Sequence, residues 1–293
     1  MHTAPDQVRT AAPYHLLGRG AGYRWWRPLT EVLLFAVLLG VFLAAFVLLA
    51  HGIASLAGIA GKDDGFADPV FDLAFGFGVV AVMLPALLLT VRWAGRRPPG
   101  TLSSVTGGLR WRWQLDCARW AVLAIGTVLL VGLVQDGWQA AKWPGWGSWA
   151  QFALVIVLVV PLQAAAEEYL CRGWLFQAIS SWTRSPWPAM VLTTALFVSL
   201  HDYTDPLVII DLTVFSFALC WLTIRTGGLE AAIALHVVNN AVGLLLATTQ
   251  GAPDLSQSGD YTAAQILPGT VATLAYTWWV SRRARSAGLM ISS

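Results

Sequence analysis

The stretch 144–166, PGWGSWAQFALVIVLVVPLQAAA, contains no charged residue and is followed at once by the pair Glu167-Glu168. A helix needs about 20 mostly apolar residues to cross a bilayer, so this run predicts a membrane-spanning helix. The rest of the chain has the same character: 57% of its 293 residues are hydrophobic, 12% are charged, and the mean hydropathy is +0.63. So few charges cannot cover a water-soluble domain of this size, and disorder would need low hydrophobicity.

Seven further apolar runs predict an all-α, polytopic membrane bundle of about eight transmembrane helices. The eight runs are 32–61, 73–91, 120–135, 144–166, 185–200, 206–224, 231–251 and 261–281. If the N-terminus is cytoplasmic, fifteen arginines fall on the inner side, Lys62 and Lys142 fall outside, and Arg172 lies in or at the end of a span. This distribution follows the positive-inside rule and predicts that both termini are cytoplasmic.

The apolar runs also divide the chain. We expect a cytoplasmic N-terminal arm at 1–28, a transmembrane domain at 29–285 and a C-terminal tail at 286–293. The arm lacks an apolar core, so the first span is predicted to be an anchor rather than a cleaved signal. The segment Leu109–Asp116 alternates like a strand, but its place between two spans favours an interfacial segment.

Two adjacent carboxylates follow the run 144–166. On a helix Glu167 and Glu168 lie about 100° apart, so we expect them to have different partners. Glu168 and Arg172 are four residues apart with the acid first, the favoured order for an ion pair. Glu167 is then left as a candidate general base. The opposing interpretation, in which the span ends at Ala166 and both acids are solvated, conflicts with the apolar pattern of residues 174–179.

Two more polar clusters lie in apolar surroundings. His201 ends the run Phe197-Val-Ser-Leu-His201, and His236 and Asn240 lie four apart, on one face of a later span. Such residues are costly inside a membrane, so each is a candidate for function. The plainer interpretations are an interfacial histidine at a helix end and a hydrogen bond that only joins helices.

Together these clusters contain the groups that hydrolysis requires. A carboxylate activates water, an imidazole holds that water, and an imidazole and an amide stabilise the oxyanion. The same Glu167, His201 and His236 would also suit Zn²⁺ with a bound water. The residue types alone leave both chemistries open.

The three clusters resemble the motifs of the CAAX protease and bacteriocin-processing (CPBP, or Abi) family of intramembrane proteases. The family carries Glu-Glu-x-x-x-Arg, Phe-x-x-x-His and His-x-x-x-Asn/Asp, and the resemblance covers about residues 150–248, the protease-like core. The corresponding residues are Glu167-Glu168-x-x-x-Arg172, Phe197-x-x-x-His201 and His236-x-x-x-Asn240. Cys171 departs from the Phe or Tyr usual before the Arg, at an expected packing position.

The resemblance implies an endopeptidase with a role for each motif residue. Glu167 would activate water, His201 would help to bind it, His236 and Asn240 would form the oxyanion site, and Glu168 would be structural, held by Arg172. The family is often labelled a metalloprotease family, although a metal-free glutamate mechanism is also proposed for it. We therefore commit to no cofactor and keep Zn²⁺ as the alternative.

The expected substrate is a membrane-associated peptide or protein, with the lipid bilayer as a partner and no nucleic acid. The chain has many Ala, Gly, Trp and Arg residues and two Lys, which is typical of bacteria and predicts the bacterial plasma membrane. Bacteria rarely prenylate proteins, so the prenylated substrate of eukaryotic relatives is not carried over. A non-catalytic scaffold or immunity or regulatory protein of the same fold is the alternative, and a proton relay through Asp72 and Asp211 is a third possibility.

Depth in the membrane poses a difficulty for this site. At 1.5 Å per residue, His236 lies about 10 Å from the start of its helix at Glu230, whereas His201 lies about 20 Å from Trp187. The two histidines meet only if helices tilt or extend beyond the bilayer. A site formed in this way is expected to open to water on the cytoplasmic side.

Overall fold

The computed structural model describes residues 12–20, 22–61, 65–136, 143–253 and 261–289. Outside these residues lie positions 1–11 of the predicted N-terminal arm and positions 290–293 of the predicted C-terminal tail. Lys62 and Lys142 also lie outside them.

The described part of the chain is all-α, as predicted. It contains no strand, and Leu109–Asp116 is not extended, because a helix begins at Trp111. The helices are α1 Arg27–Ala57, α2 Pro69–Ala81, α3 Met83–Trp93, α4 Trp111–Asp136, α5 Trp146–Glu168, α6 Phe176–Thr183, α7 Pro186–Ser199, α8 Pro206–Thr226, α9 Glu230–Ala247 and α10 Ala263–Ser286, with a π-helical segment at Tyr169–Leu175 and short 3-10 turns at Tyr14–Arg19, Pro99–Thr101 and Thr248–Gln250.

Six stretches of the described residues are long and apolar enough to cross a membrane. They correspond to α1, α2 with α3, most of α4, α5 through α6, α8, and α9 with the 3-10 turn that follows it. Helix α7 is apolar but shorter, and α10 is not among the six. The polytopic helical bundle is thus confirmed, while the number of spans and the side of each loop remain predictions.

The apolar run 144–166 belongs to a helical rod of 38 residues that continues to Thr183. The chain then turns at Arg184, and Ser185 caps α7 by accepting a hydrogen bond from the Trp187 N–H. Fifteen residues separate Glu168 from Thr183, and fifteen separate Pro186 from His201. At 1.5 Å per residue, the helical segment from Glu168 to Thr183 and the segment from Pro186 to His201 are each about 22 Å long. Because α7 runs back in the opposite direction, His201 lies at the level of the glutamate pair. This extension resolves the difficulty of depth.

Helix α9 packs against α5 in the antiparallel direction. Trp149 Nε1 donates to the carbonyl oxygen of Leu245 at 3.5 Å near one end, and His236 contacts Glu168 near the other. The first turns of α9 are buried and rich in alanine, which allows close approach between membrane helices. Glu230 fixes the start of α9 through three hydrogen bonds from Arg110, one from the backbone N–H at 2.9 Å and two from the guanidinium at 2.8 and 2.7 Å.

Candidate active site

A cavity of about 730 Å³ lies between α2, α5, α7 and α9. Glu167 of α5, His201 just beyond α7 and Asn240 of α9 all line it. Three of the four residues expected to carry the chemistry therefore face one space, although they come from separate helices. Much of the remaining wall is apolar, with Phe77, Val80, Met83, Leu170, Leu200 and Leu244 among its residues.

His236, the fourth residue, lies behind this wall and is only 2% exposed. Its Nδ1 is 2.7 Å from Glu168 Oε1, and its Nε2 is 3.5 Å from Glu167 Oε2. The expectation that the two glutamates have different partners is therefore wrong. The two nitrogens lie on different edges of one imidazole ring, so a single histidine reaches both carboxylates despite the angle between them.

Glu168 and Arg172 form a fully buried ion pair, with 2.9 Å between Oε1 and Nη1. Arg172 Nη2 also donates to Ser216 Oγ at 2.7 Å, and that hydroxyl donates to Thr194 Oγ1 at 2.9 Å. A buried ion pair is tolerated only when further hydrogen bonds compensate for lost hydration. The network supplies several of them, leaves Glu168 Oε2 and Arg172 Nε without a hydrogen-bond partner among the described residues, and joins the π-helical segment to α7 and α8.

Phe197 packs against a side chain from each of the three motifs. Its ring centroid lies 4.2 Å from the Arg172 guanidinium carbon, 4.5 Å from the His201 ring and 5.9 Å from the His236 ring. The contact with Arg172 has the geometry of a cation–π interaction. The aromatic residue of the Phe-x-x-x-His motif thus holds the ion pair and both imidazoles in place.

Gln163 links two of the cavity residues. Its Nε2 donates to Glu167 Oε1 at 2.5 Å, and its Oε1 accepts from Asn240 Nδ2 at 3.4 Å. Within the described residues Glu167 Oε2 accepts no hydrogen bond; this oxygen is buried and lies 3.5 Å from His236 Nε2. The sequence analysis missed Gln163, although its position one helical turn before Glu167 was a usable signal.

The hydrogen bonding of His201 determines its tautomer. Its Nδ1 lies 2.7 Å from the Phe197 carbonyl oxygen, which can only accept, so Nδ1 carries the proton. In the neutral ring Nε2 is then an acceptor. Tyr203 lies nearly parallel to this ring and also lines the cavity. Burial raises the pKa of the Tyr203 phenol, which keeps it a hydrogen-bond donor; no sequence pattern indicated this residue.

The position of the cavity differs from one expectation. Tyr203 and Tyr261 are part of its wall, and both belong to connections that the predicted topology places on the outer side. On that topology the cavity reaches towards the outer side, whereas the expected opening is cytoplasmic.

The core of the chain matches a known protein family. Residues 146–242 fit the model of the family described as type II CAAX prenyl endopeptidase Rce1-like. This stretch is therefore similar to that family, in agreement with the resemblance of the three motifs to the CPBP family. The three motifs all lie within the matched residues, and the Rce1-like family is one of endopeptidases.

The chain is also similar to a protein of a known bacterium. The chain is 25% identical over 182 residues to a protein of Bacillus subtilis described as "Uncharacterized protein YyaK". The match covers 59% of this chain and 60% of that protein. No solved structure matched the chain.

The arrangement does not fit the zinc alternative. Among the residues that the structure describes, no three His, Cys, Asp or Glu side chains are grouped so as to hold a metal ion. His236 is directed at two carboxylates rather than at a space shared with His201. Cys171, the departure from the family pattern, is a buried free thiol, as its predicted packing position requires.

Proposed function

We propose that the chain is an intramembrane endopeptidase that uses a water molecule activated by Glu167 to cleave a membrane-associated peptide or protein. The observation that supports this most directly is the single cavity lined by a carboxylate, an imidazole and a carboxamide from three different elements. The test compares membrane peptides from cells that make the wild-type chain with those from cells that make Glu167→Gln. Cleaved peptides should be found only in the first.

The Glu167 carboxylate and His201 Nε2 supply the two acceptors that a nucleophilic water needs. The Glu167 carboxylate takes one proton of the water, while His201 Nε2 accepts a hydrogen bond from the other O–H. The water oxygen then bonds to the carbonyl carbon of the substrate. Proton transfer to a positioned base contributes roughly 10²–10⁴-fold to the rate of such reactions.

Asn240 is the donor best placed for the oxyanion. One of its two amide hydrogens bonds Gln163 only at 3.4 Å, and the group faces the cavity. His236 gives its Nδ1–H to Glu168, so it can donate from Nε2 only as an imidazolium. We propose that the main role of His236 is to orient Glu167 and that stabilising the oxyanion is its secondary role. Collapse of the intermediate breaks the C–N bond, and Glu167 returns its proton to the leaving amine nitrogen.

The cavity wall favours an apolar segment of substrate. The aromatic and aliphatic side chains around the polar groups match a peptide that is embedded in, or attached to, a bilayer. We propose the plasma membrane of a bacterium as the location, with both termini cytoplasmic. A non-catalytic scaffold is less favoured, because binding alone would not require a carboxylate, an imidazole and an amide around one space.

Replacing Gln163 with Leu should lower the rate of cleavage by about 10- to 100-fold. The change removes the hydrogen bond from Gln163 to Glu167 and the hydrogen-bond acceptor of Asn240. A hydrogen bond to a charged group contributes about 1.5–3 kcal/mol. Initial rates of the purified variants measure the effect. Gln151→Leu is the matched control, since Gln151 is an exposed residue of the same helix. Equal rates for both variants would rule out a positioning role.

A chelator should leave cleavage unchanged. Glu167, His201 and His236 are not grouped as metal ligands, and the proposed water is bound by the side chains themselves. The measurement is the rate of cleavage before and after dialysis against EDTA, with metal content determined on the same sample. Loss of activity that one equivalent of Zn²⁺ restores would contradict the proposed mechanism.

A further inference from the structure

A second cavity, of about 250 Å³, lies where the 3-10 turn at Tyr14–Arg19 meets the start of α1, the turn after α3, and α6. It is separate from the candidate active site. Gln177, in its wall, lies ten residues beyond Glu167 on the same helical rod, about 15 Å along the axis. The three arginines Arg27, Arg96 and Arg97 line this second cavity together with a single acidic residue, Glu31.

Arg97 lines the cavity with hydrogen-bond donors to spare. Its side chain is 10% exposed, and both of its hydrogen bonds come from Nη1, to Thr101 Oγ1 at 2.8 Å and to Gln177 Oε1 at 2.7 Å. Nη2 approaches Glu31 Oε2 only to 3.8 Å, and Nε is buried without a partner. Burial lowers the pKa of the Arg97 guanidinium, as expected for a charge that lacks full solvation. An anion in the cavity would satisfy the donors of Nη2.

The charge around the cavity is unbalanced. Three arginines face one carboxylate, and Glu31 Oε2 already accepts a hydrogen bond from Trp174 Nε1 at 2.6 Å. Arg27 and Pro28 also begin the 31-residue helix α1, whose N-terminus carries partial positive charge. Gly95 allows the turn that presents Arg96 and Arg97, because a Cβ there would lie 2.6 Å from the Val91 carbonyl oxygen.

The geometry points to an anion site that binds a phosphate group, carried by a membrane lipid or by a small soluble molecule. Planar guanidinium groups match phosphate oxygens in pairs, and a buried arginine with free donors favours an anion over water. The predicted topology places this cavity at the cytoplasmic surface, where anionic lipid headgroups are concentrated. Because Gln177 and Ser181 of the same rod form part of the wall, a bound phosphate would also fix the end of the helix that carries Glu167.

The test measures the thermal unfolding midpoint of the purified full chain in detergent micelles against ligand concentration. A ligand that binds the native state raises this midpoint. The probes are dihexanoyl phosphatidylglycerol, inorganic phosphate, and dihexanoylglycerol, which has no phosphate. The variants are Arg96→Gln and Arg27→Gln, with Arg184→Gln as the matched control. Arg96 and Arg184 are both exposed and both adopt left-handed backbone, at φ 51 and 57, but Arg184 is not in the cavity.

We expect Arg96→Gln and Arg27→Gln to raise the apparent Kd for the phosphate probes at least tenfold, while Arg184→Gln matches the wild type. Binding of phosphatidylglycerol without binding of inorganic phosphate identifies a lipid, and equal binding of both identifies a soluble source. The proposal is overturned if no probe raises the midpoint, if dihexanoylglycerol binds as well as the phospholipid, or if Arg184→Gln weakens binding as much as the cavity variants do.

Discussion

Glu167→Gln is expected to lower peptide-bond cleavage by about 10²–10⁴-fold, the contribution of a positioned general base. Glutamine keeps the shape of the side chain and its contact with Gln163, but it cannot take a proton from water. The variant should therefore fold normally and bind substrate while losing the chemical step. Mass spectrometry of peptide termini in membranes identifies the products, and the rate on one such peptide gives the factor.

The control for this experiment is Asp202→Asn. Asp202 is an exposed carboxylate next to His201 and is not part of the cavity wall, so its loss should leave the rate unchanged. A folded Glu167→Gln variant that keeps wild-type cleavage would contradict the proposed chemistry. If Glu167→Gln has no thermal unfolding transition, the variant is not folded, and Glu167→Asp is tested instead. Aspartate keeps the negative charge, but its shorter side chain places the carboxylate farther from the water.

Arg172→Met is expected to lower the free energy of unfolding by about 3–5 kcal/mol, the usual cost of removing one partner of a buried ion pair. Methionine fills part of the volume, but Glu168 keeps a buried charge with His236 as its remaining contact. The bonds to Ser216 and the packing on Phe197 are lost as well. Denaturant unfolding in micelles, followed by tryptophan fluorescence, measures the change.

Arg283→Met is the matched control, because Arg283 pairs with Asp116 at 2.9 Å where both side chains are partly exposed, at 42% and 26%. Surface pairs of this kind contribute about 0–1 kcal/mol. We therefore expect a small change in this variant and a large one in Arg172→Met. Similar losses in both would mean that the buried network around Glu168 does not determine the stability of the core.

The features predicted correctly from the sequence are those that depend on local spacing. Runs of about 20 apolar residues identified the helices, and the four-residue interval from Glu168 to Arg172 placed both side chains on one face. The continued apolar pattern after Glu168 likewise indicated that the helix extends beyond the glutamate pair. These signals require only the geometry of one helix.

The features that were missed depend on how separate elements meet. The shared contact of His236 with both carboxylates requires the register of α9 against α5, and the role of Tyr203 depends on the connection after α7. The π-helical segment at Tyr169–Leu175 had no sequence signal either, although such segments often occur at functional sites. The second cavity, lined by Arg27, Arg96 and Arg97, brings together residues far apart in the sequence, such as Arg97 and Gln177, which are 80 positions apart.

An experimental structure of the wild-type chain in a lipid nanodisc, at a resolution that reveals ordered water, tests the central proposal most directly. We predict one water within about 3.2 Å of both the Glu167 carboxylate and His201 Nε2, beside the Asn240 amide. A metal ion bound by these side chains would contradict the account. So would an arrangement in which Glu167, His201 and Asn240 face lipid or lie too far apart to contact one water.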